Sequence, residues 1–285
     1  MTKTLSIKEL EQKANTIRED IIRMLEEAKS GHSAGPLGLA DIFTALYFDV
    51  MRHDPKNPDW EDRDIMLLSN GHCTPVRYAA MAEAGYFPKK ELMTLRKFGS
   101  RLQGHPERTR LPGLENTSGP LGSGLSQAAG MALAMRMNKQ LHRRVYVVTG
   151  DGELDEGNVW EAIMLIAKYN LNSITAIVDR NNIQIDGPTE SVMPLEDLKK
   201  KWESFGWHAI EIDGNDIEAV IDALAMANAI TEKPVVLIAY TIPGKGVDFM
   251  EGDFHWHGAP PNHEQAVKAL HELRTLGGKI RSEHE

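Results

Sequence analysis

Residues 145–157 read Val-Tyr-Val-Val-Thr-Gly-Asp-Gly-Glu-Leu-Asp-Glu-Gly, and residues 174–187 read Ile-Thr-Ala-Ile-Val-Asp-Arg-Asn-Asn-Ile-Gln-Ile-Asp-Gly, with a helix-like run between them. Each stretch opens as a short apolar run of the kind that makes a buried strand and closes in a loop carrying oxygen ligands. In an open α/β sheet, such loops lie where cofactors bind. Gly150 and Gly152 flank Asp151, which lets the backbone approach a phosphate closely. Asp151 offers a charged oxygen, Asn181 a neutral one, and the Ile183 carbonyl a third. With two diphosphate oxygens and a water, these complete an octahedron around Mg²⁺, and Ca²⁺ also fits an oxygen site. Gly-Asp-Gly alone reads equally well as a turn, and Asn181-Asn182 as a strand-end cap. Their pairing, one helix apart, is the specific signal, and it points to a metal-bridged diphosphate.

Working outward, strands are expected at 64–69, 145–149, 174–179, 208–212 and 235–240, with helices at 159–170, 195–205 and 216–228 between the later ones. That alternation argues for a mainly parallel sheet covered on both faces, an α/β fold of three layers, α/β/α. Upstream, Ser6 and Glu9 form a capping box, and apolar residues recur at Leu10, Ala14, Ile17, Ile21, Met24, Leu25 and Ala28. This predicts a long amphipathic helix ending near Ser30-Gly31. Further helices are expected at 39–50, 75–84, 88–97, 123–140 and 263–276, the last followed by a polar tail. Residues 100–124 are rich in Gly and Pro and lack periodicity, the mark of a functional or disordered loop. No repeat or linker stands out, so residues 1–285 read as one domain with a helical N-terminal extension.

The 285 residues carry 32 Lys and Arg against 41 Asp and Glu, a formal charge of −9. That balance argues against a general nucleic-acid binder. An anionic substrate then needs local histidines, basic side chains or helix N-termini. Arg101, Arg108, Arg110 and Lys245 are candidates, though a solvated surface role is the simpler reading of each. The single cysteine, Cys73, excludes an intrachain disulfide, and a small semi-buried residue beside a turn explains it better than catalysis. With no secretory signal and no apolar run long enough to cross a bilayer, the expected location is cytoplasmic.

Seven words along the chain carry a family resemblance. They are Ser30-Gly31-His32, Gly35-Pro36-Leu37-Gly38, Leu68-Ser69-Asn70-Gly71-His72, Gly104-His105-Pro106-Glu107, Gly119-Pro120-Leu121-Gly122, Gly150-Asp151-Gly152-Glu153-Leu154-Asp155-Glu156-Gly157 and His257-Gly258-Ala259-Pro260. In this order, and with Asn181, they resemble the transketolases, and the metal loop resembles the thiamine-diphosphate motif. One departure is Ser33-Ala34, where many relatives have Pro-Gly after the histidine. The resemblance implies a thiamine-diphosphate-binding fold and transfer of a two-carbon ketol group from a ketose phosphate to an aldose phosphate, as in pentose-phosphate-type sugar metabolism.

The four loop histidines each adjoin a glycine. Imidazole donates, accepts or carries charge near neutral pH, and sugar phosphates offer hydroxyls and anionic oxygens. The resemblance implies that His32 and His257 lie near the donor's hydroxyls, with His257 also near the cofactor. It implies that His72 and His105 face the cofactor and the reacting carbons. It places Gly119, Leu121, Gly122, Gly150, Asp151, Gly152, Glu156, Asn181 and Ile183 around the cofactor, with Asp151, Asn181 and Ile183 on the metal. Glu156 further matches a position at the contact between cofactor-binding subunits; on its own it is an acidic residue at a helix start. His255 and His257 as a metal pair is a weaker alternative, because no further ligands accompany them.

In the family, a pyrimidine-binding domain follows the one resembled here and supplies a glutamate to the aminopyrimidine ring. No second α/β pattern precedes Glu285. The expectation is therefore the N-terminal subunit of a split transketolase, with a separate C-terminal chain as partner in a 2+2 complex. The alternatives are a deoxyxylulose-phosphate-synthase-like enzyme, a transketolase for an unusual sugar phosphate and a non-catalytic regulatory subunit. Asp179-Arg180-Asn181-Asn182-Ile183 and the His257 word favour transketolase over the synthase, and the retained loop histidines argue against a decayed site.

Overall fold

The computed structural model describes residues 5–275. Helix α1 (Ile7–Ala28) opens on the expected capping box: the Ser6 hydroxyl accepts from the Glu9 N–H at 3.3 Å, and the Glu9 carboxylate accepts from the Ser6 N–H at 2.8 Å. It stops two residues early, because Lys29 turns left-handed at φ 51° and returns its N–H to Leu25. The helix expected over 39–50 is preceded by a short one, α2 (Ala34–Gly38), and is itself two pieces, α3 (Ala40–Ala45) and a wider π turn at Leu46–Val50. Pro36 sits in the first turn of α2, where its missing N–H costs nothing, so the helical path starts earlier than expected.

Strand β1 (Ile65–Leu68) runs through a 3₁₀ turn at Gly71–Cys73 into α4 (Thr74–Ala84). The helix expected at 88–97 is a 3₁₀ segment, Lys89–Thr94, and Arg96 beyond it is left-handed at φ 59°. Then follow α5 (Ser123–Met137), β2 (Val145–Gly150), α6 (Gly157–Lys168) and β3 (Ile174–Arg180). A small hairpin, β4 (Ile183–Gln184) with β5 (Gly187–Pro188), leads into the single turn α7 (Thr189–Val192). Helix α8 (Leu198–Ser204) starts three residues later than expected, where Asp197 caps the Lys200 N–H. The chain closes with β6 (His208–Asp213), α9 (Ile217–Ala229), β7 (Val235–Tyr240) and α10 (His263–Thr275). Leu276 and the tail lie outside the described residues.

The main sheet has the order β1-β2-β3-β7-β6, and every pair is parallel. Alternate strand residues face opposite layers. Met66, Leu68, Tyr146, Val148, Leu237 and Ala239 pack with α1, α3, α4, α9 and α10. Ile65, Leu67, Val145, Val147, Ala176, Val178 and Val236 pack with α5, α6 and α8. The architecture is the three-layer, parallel α/β fold expected from the sequence. Among the described residues no helix is long and apolar enough to cross a membrane.

Candidate active site

Because all five strands run one way, the loops after their C-terminal ends share one edge of the sheet. The loops after β2 and β3 lead to α6 and α8 on one face, whereas those after β1 and β7 lead to α4 and α10 on the other. Chains that part in this way leave crevices between β1 and β2 and between β3 and β7.

Asp151, 1% exposed, sits at the end of β2. Its carboxylate accepts from the N–H groups of Gly152 at 2.7 Å and Asn182 at 2.8 Å, from the Thr189 hydroxyl at 3.3 Å and from Arg180 at 3.0 Å. Burial pushes its pKa up, and the guanidinium and these N–H groups oppose that shift. Asn181 lies beside it, its amide oxygen accepting from the Ile183 N–H at 3.0 Å and its NH₂ donating to Asp179 at 2.8 Å. The Asp151, Asn181 and Ile183 loops therefore come together, and their donor set is hard oxygen, which suits Mg²⁺ or Ca²⁺. Nearby, the buried Asn70 carboxamide oxygen and Ser118 hydroxyl have no hydrogen-bond partner, as expected where a polar ligand sits. The residues fit a metal-bound diphosphate. Arg180, which also pairs with Glu190, is the positive charge that a metal ion there would share with Asp151.

The glycine loop lies at the start of α5. A Cβ at Gly119 would meet nothing within 4 Å, whereas one at Gly122, left-handed at φ 84°, would lie 2.0 Å from Asn158. Gly119 is thus open to a ligand, Leu121 is half-buried beside it, and Gly122 is fixed by backbone geometry. Gly150 and Gly152 bracket Asp151, and Glu156 is exposed at the N-cap of α6.

Three of the four histidines form one cluster. The ring centroids of His32 and His72 are 4.9 Å apart, those of His72 and His257 5.1 Å, and those of His32 and His257 5.8 Å. They come from the loops before α2, after β1 and after β7. Ser33, at the departure from the family pattern, donates its hydroxyl to the Ala259 carbonyl at 2.7 Å and so ties the first loop to the third. His105 lies apart, exposed in a groove of about 380 Å³ with Gln103, Glu107, Thr117 and Ser118.

All four imidazoles are held below their ordinary pKa, chiefly by desolvation. His32 falls to about 4, helped by His257, Arg96 and His105, and His72 falls well below its ordinary value. His105 is lowered further by Arg96, and His257 by desolvation alone. The site is thus a set of neutral imidazoles at pH 7, able to accept protons and to hydrogen-bond hydroxyls. Unfolding restores ordinary imidazoles, so the unfolded chain binds more protons below pH ~6.5. Stability is therefore expected to fall as pH drops from about 6.5 toward 4, by up to ~1.4 kcal/mol per pH unit for each imidazole that protonates only on unfolding. Asp179, raised to about 7 by burial, and Asp20, Asp151, Glu153 and Asp155, also raised by burial, work in the opposite sense, so the histidine contribution is read from the difference between wild type and a histidine variant. Urea unfolding midpoints between pH 4 and 8 check this; the acid side of His32→Asn should fall less steeply than that of wild type, and two parallel profiles would refute the assignment.

Other sequence candidates are engaged elsewhere. Arg101 pairs with Glu91, Arg110 with Glu107 and His255 with Asp253. The Arg108 N–H donates to Thr117, and Lys245 is half-buried in the loop after β7. Cys73 is buried, and burial pushes its thiol well up, which disfavours the thiolate. Among the described residues no group of three or more His, Cys, Asp or Glu side chains forms a metal cluster.

Sequence reasoning missed Glu153, which is 2% exposed. Its carboxylate accepts from the Gly122 N–H at 2.5 Å, the Gly150 N–H at 3.0 Å and the Ser69 hydroxyl. It thereby ties the glycine loop and the ends of β1 and β2 together. The signal available was an acidic residue three positions past Gly150, inside the Gly150–Gly157 word but given no role of its own. Asp179 was missed likewise; it accepts from Asn181 and Thr241 beneath the oxygen site.

A parallel α/β fold with an oxygen-lined loop pair and a histidine cluster on one sheet edge is the arrangement of a cofactor-dependent enzyme. Residues 10–278 match the family model "Transketolase, thiamine diphosphate binding domain", and the chain belongs to that family. It is 38% identical to one of the apulose-4-phosphate transketolase subunits, that of Phocaeicola vulgatus, over 98% of this chain and 99% of that one. It is 40% identical to the 6-deoxy-6-sulfo-D-fructose transketolase subunit SqwG of a Clostridium species, over 94% of this chain and 98% of the other. The crystal structure of transketolase from Campylobacter jejuni superposes with a TM-score of 0.88 at 35% identity, covering 97% of this chain and 44% of that one. The chain thus spans the length of the transketolase subunits but less than half of that transketolase structure.

Proposed function

We propose that the chain is one domain and forms the diphosphate-binding half of a two-chain transketolase moving a two-carbon ketol group between sugar phosphates. The observation that carries this reading is the three-histidine cluster on the same sheet edge as the Asp151–Asn181 oxygen site. Asp151, Asn181 and the Ile183 carbonyl hold Mg²⁺. Gly119, Leu121, Gly122, Gly150, Gly152 and Glu156 surround the cofactor, with Glu156 exposed toward a neighbouring subunit. Thiamine diphosphate, when bound, supplies the nucleophilic carbon and the electron sink. The protein supplies neutral imidazoles: His32 and His257 hold the donor's hydroxyls and pass protons, while His72 and His105 face the cofactor and reacting carbons. The donor is a ketose with an anionic end. Apulose-4-phosphate and a sulfonated fructose, named for the relatives, mark the range of such sugars.

The second chain supplies the pyrimidine-binding domain, in a cytoplasmic complex of two copies of each. Support comes from relatives named as subunits and from the fraction of the transketolase structure that this chain spans. The test is recovery of the complex from its native cell, its intact mass, and ketol transfer from a panel of ketose phosphates and a sulfonated ketose. Transfer by the two-chain complex and none by this chain alone is expected. Robust transfer by the isolated chain would overturn the two-chain reading, and a loaded but silent complex across the panel would overturn ketol transfer.

A further inference from the structure

Most guanidinium groups around the site face a carboxylate: Arg180 meets Asp151 and Glu190, Arg101 meets Glu91, and Arg110 meets Glu107. Arg96 is different. It is half-buried, and its guanidinium donates to a neutral group, the Ser30 hydroxyl, at 2.9 Å. Its backbone is left-handed, at φ 59°, and its N–H donates to the Leu102 carbonyl at 2.9 Å. That conformation is costly for a long side chain and persists only where the surroundings enforce it.

The guanidinium lies between two glycines. A Cβ at Gly104 would lie 2.8 Å from it, and one at Gly31 would lie 3.7 Å from its Nε. Gly31 immediately precedes His32, and Gly104 immediately precedes His105. The Arg96 side chain therefore bridges two histidine-bearing loops that are 73 residues apart in sequence, from His32 to His105. An alanine at Gly104 would push it out.

The geometry points to Arg96 as a positioning residue: a clamp that sets the spacing of the His32 and His105 loops and holds a fixed positive charge between them. This rests on the ketol-transfer reading for its catalytic consequence, but not for its physical content. A positive charge beside an imidazole disfavours a second one, and partial burial limits its screening. After desolvation, an imidazolium at His32 is disfavoured by His257, Arg96 and His105, of which Arg96 alone is charged at neutral pH, and one at His105 is disfavoured by Arg96. His72 packs on His32 from the loop after β1, and His257 from the loop after β7. Glu107 lines the groove beside His105 but pairs with Arg110. Lys97, next to Arg96, pairs with Glu27.

The experiment is a histidine NMR titration of the full chain, wild type against Arg96→Met, Arg96→Gln and Arg96→Lys. Resonances of His32 and His105 are assigned through single His→Asn variants. The methionine variant should shift both titrations upward, and lysine should leave them near wild type. Glutamine keeps polarity and reach without charge; it should shift both upward and serves if the methionine variant does not fold. Unchanged titrations in the neutral variants overturn the clamp, as does a lysine variant that shifts as far as methionine. In the assembled complex, the acid limb of the kcat profile should move to higher pH in the glutamine variant, with kcat roughly 10- to 100-fold lower from misplaced loops. Titrations need no substrate, so shifted imidazoles in a silent complex would sink the ketol-transfer reading while leaving the clamp standing.

Discussion

Asp151→Asn is expected to lower metal-dependent cofactor affinity by about 100-fold or more, since weakening even the outer partners of a metal ligand costs 10- to 100-fold. Asparagine preserves shape and can still accept from one of the two N–H groups that hold the carboxylate, those of Gly152 and Asn182. What it removes is the negative charge and one hard oxygen, the two features a divalent cation needs. It also leaves Arg180 to Glu190 alone. Asp151→Ala is the harsher variant, because it strips the partner from a buried guanidinium, a change that costs ~3–5 kcal/mol when no other partner exists. Glu190 should hold the loss below that range. Calorimetric titration of thiamine diphosphate with and without Mg²⁺, beside thermal unfolding of the unloaded chain, separates the two effects. Cofactor affinity unchanged in the asparagine variant would refute the ligand assignment outright.

The legible part of this molecule was what periodicity and turn chemistry control. Strands β2, β3 and β7 are continuous apolar runs because both sheet faces are covered, and that pattern is visible without a structure. The Ser6–Glu9 box fixed the start of α1 to the residue, since a cap is a local hydrogen-bond pattern. The failures share one cause. Whether residues 34–50 form one helix or three pieces depends on packing against α1 and β1, and nothing in the local sequence records that. The β4–β5 hairpin is two residues per strand, too short for any periodicity to register.

At the site, the words containing His32, His72 and His257 were readable, but the contact of their rings was not, because it arises from three loops separated by most of the chain. Two charged residues show the limit more sharply. Arg180 stands between two expected ligands and read as one letter of a motif; only the fold shows its guanidinium turned back onto Asp151. Arg96 sits in a segment expected to be helical, and its role depends on a left-handed backbone that no motif announced.

Glu153→Ala is expected to be the most damaging single change other than those at Asp151 and Asn181. The carboxylate is a node: Gly122 and Gly150 donate backbone N–H groups to it, Ser69 donates its hydroxyl, and Ser69 in turn accepts from the Gly124 N–H at 3.0 Å. Alanine leaves the buried Gly122 N–H without a partner, at ~1–3 kcal/mol, and the part-buried Gly150 N–H at less, and it opens a void where the side chain was. A total loss of ~3–5 kcal/mol falls within the range for disruption of a buried network. Glutamine fills the space but replaces one acceptor oxygen by an NH₂ that must face a donor, so a smaller loss of ~1–3 kcal/mol is expected. Burial also raises the Glu153 pKa, opposed by these same donors. The donors therefore select the ionised form, and their removal undoes that selection. Because the node joins the glycine loop to the strand ends beside Asp151, cofactor affinity should fall in both variants, more in alanine. Urea unfolding and cofactor titration on the same preparations decide it. If alanine leaves the urea midpoint at its wild-type value, the three loops are held by something else and the node assignment is wrong.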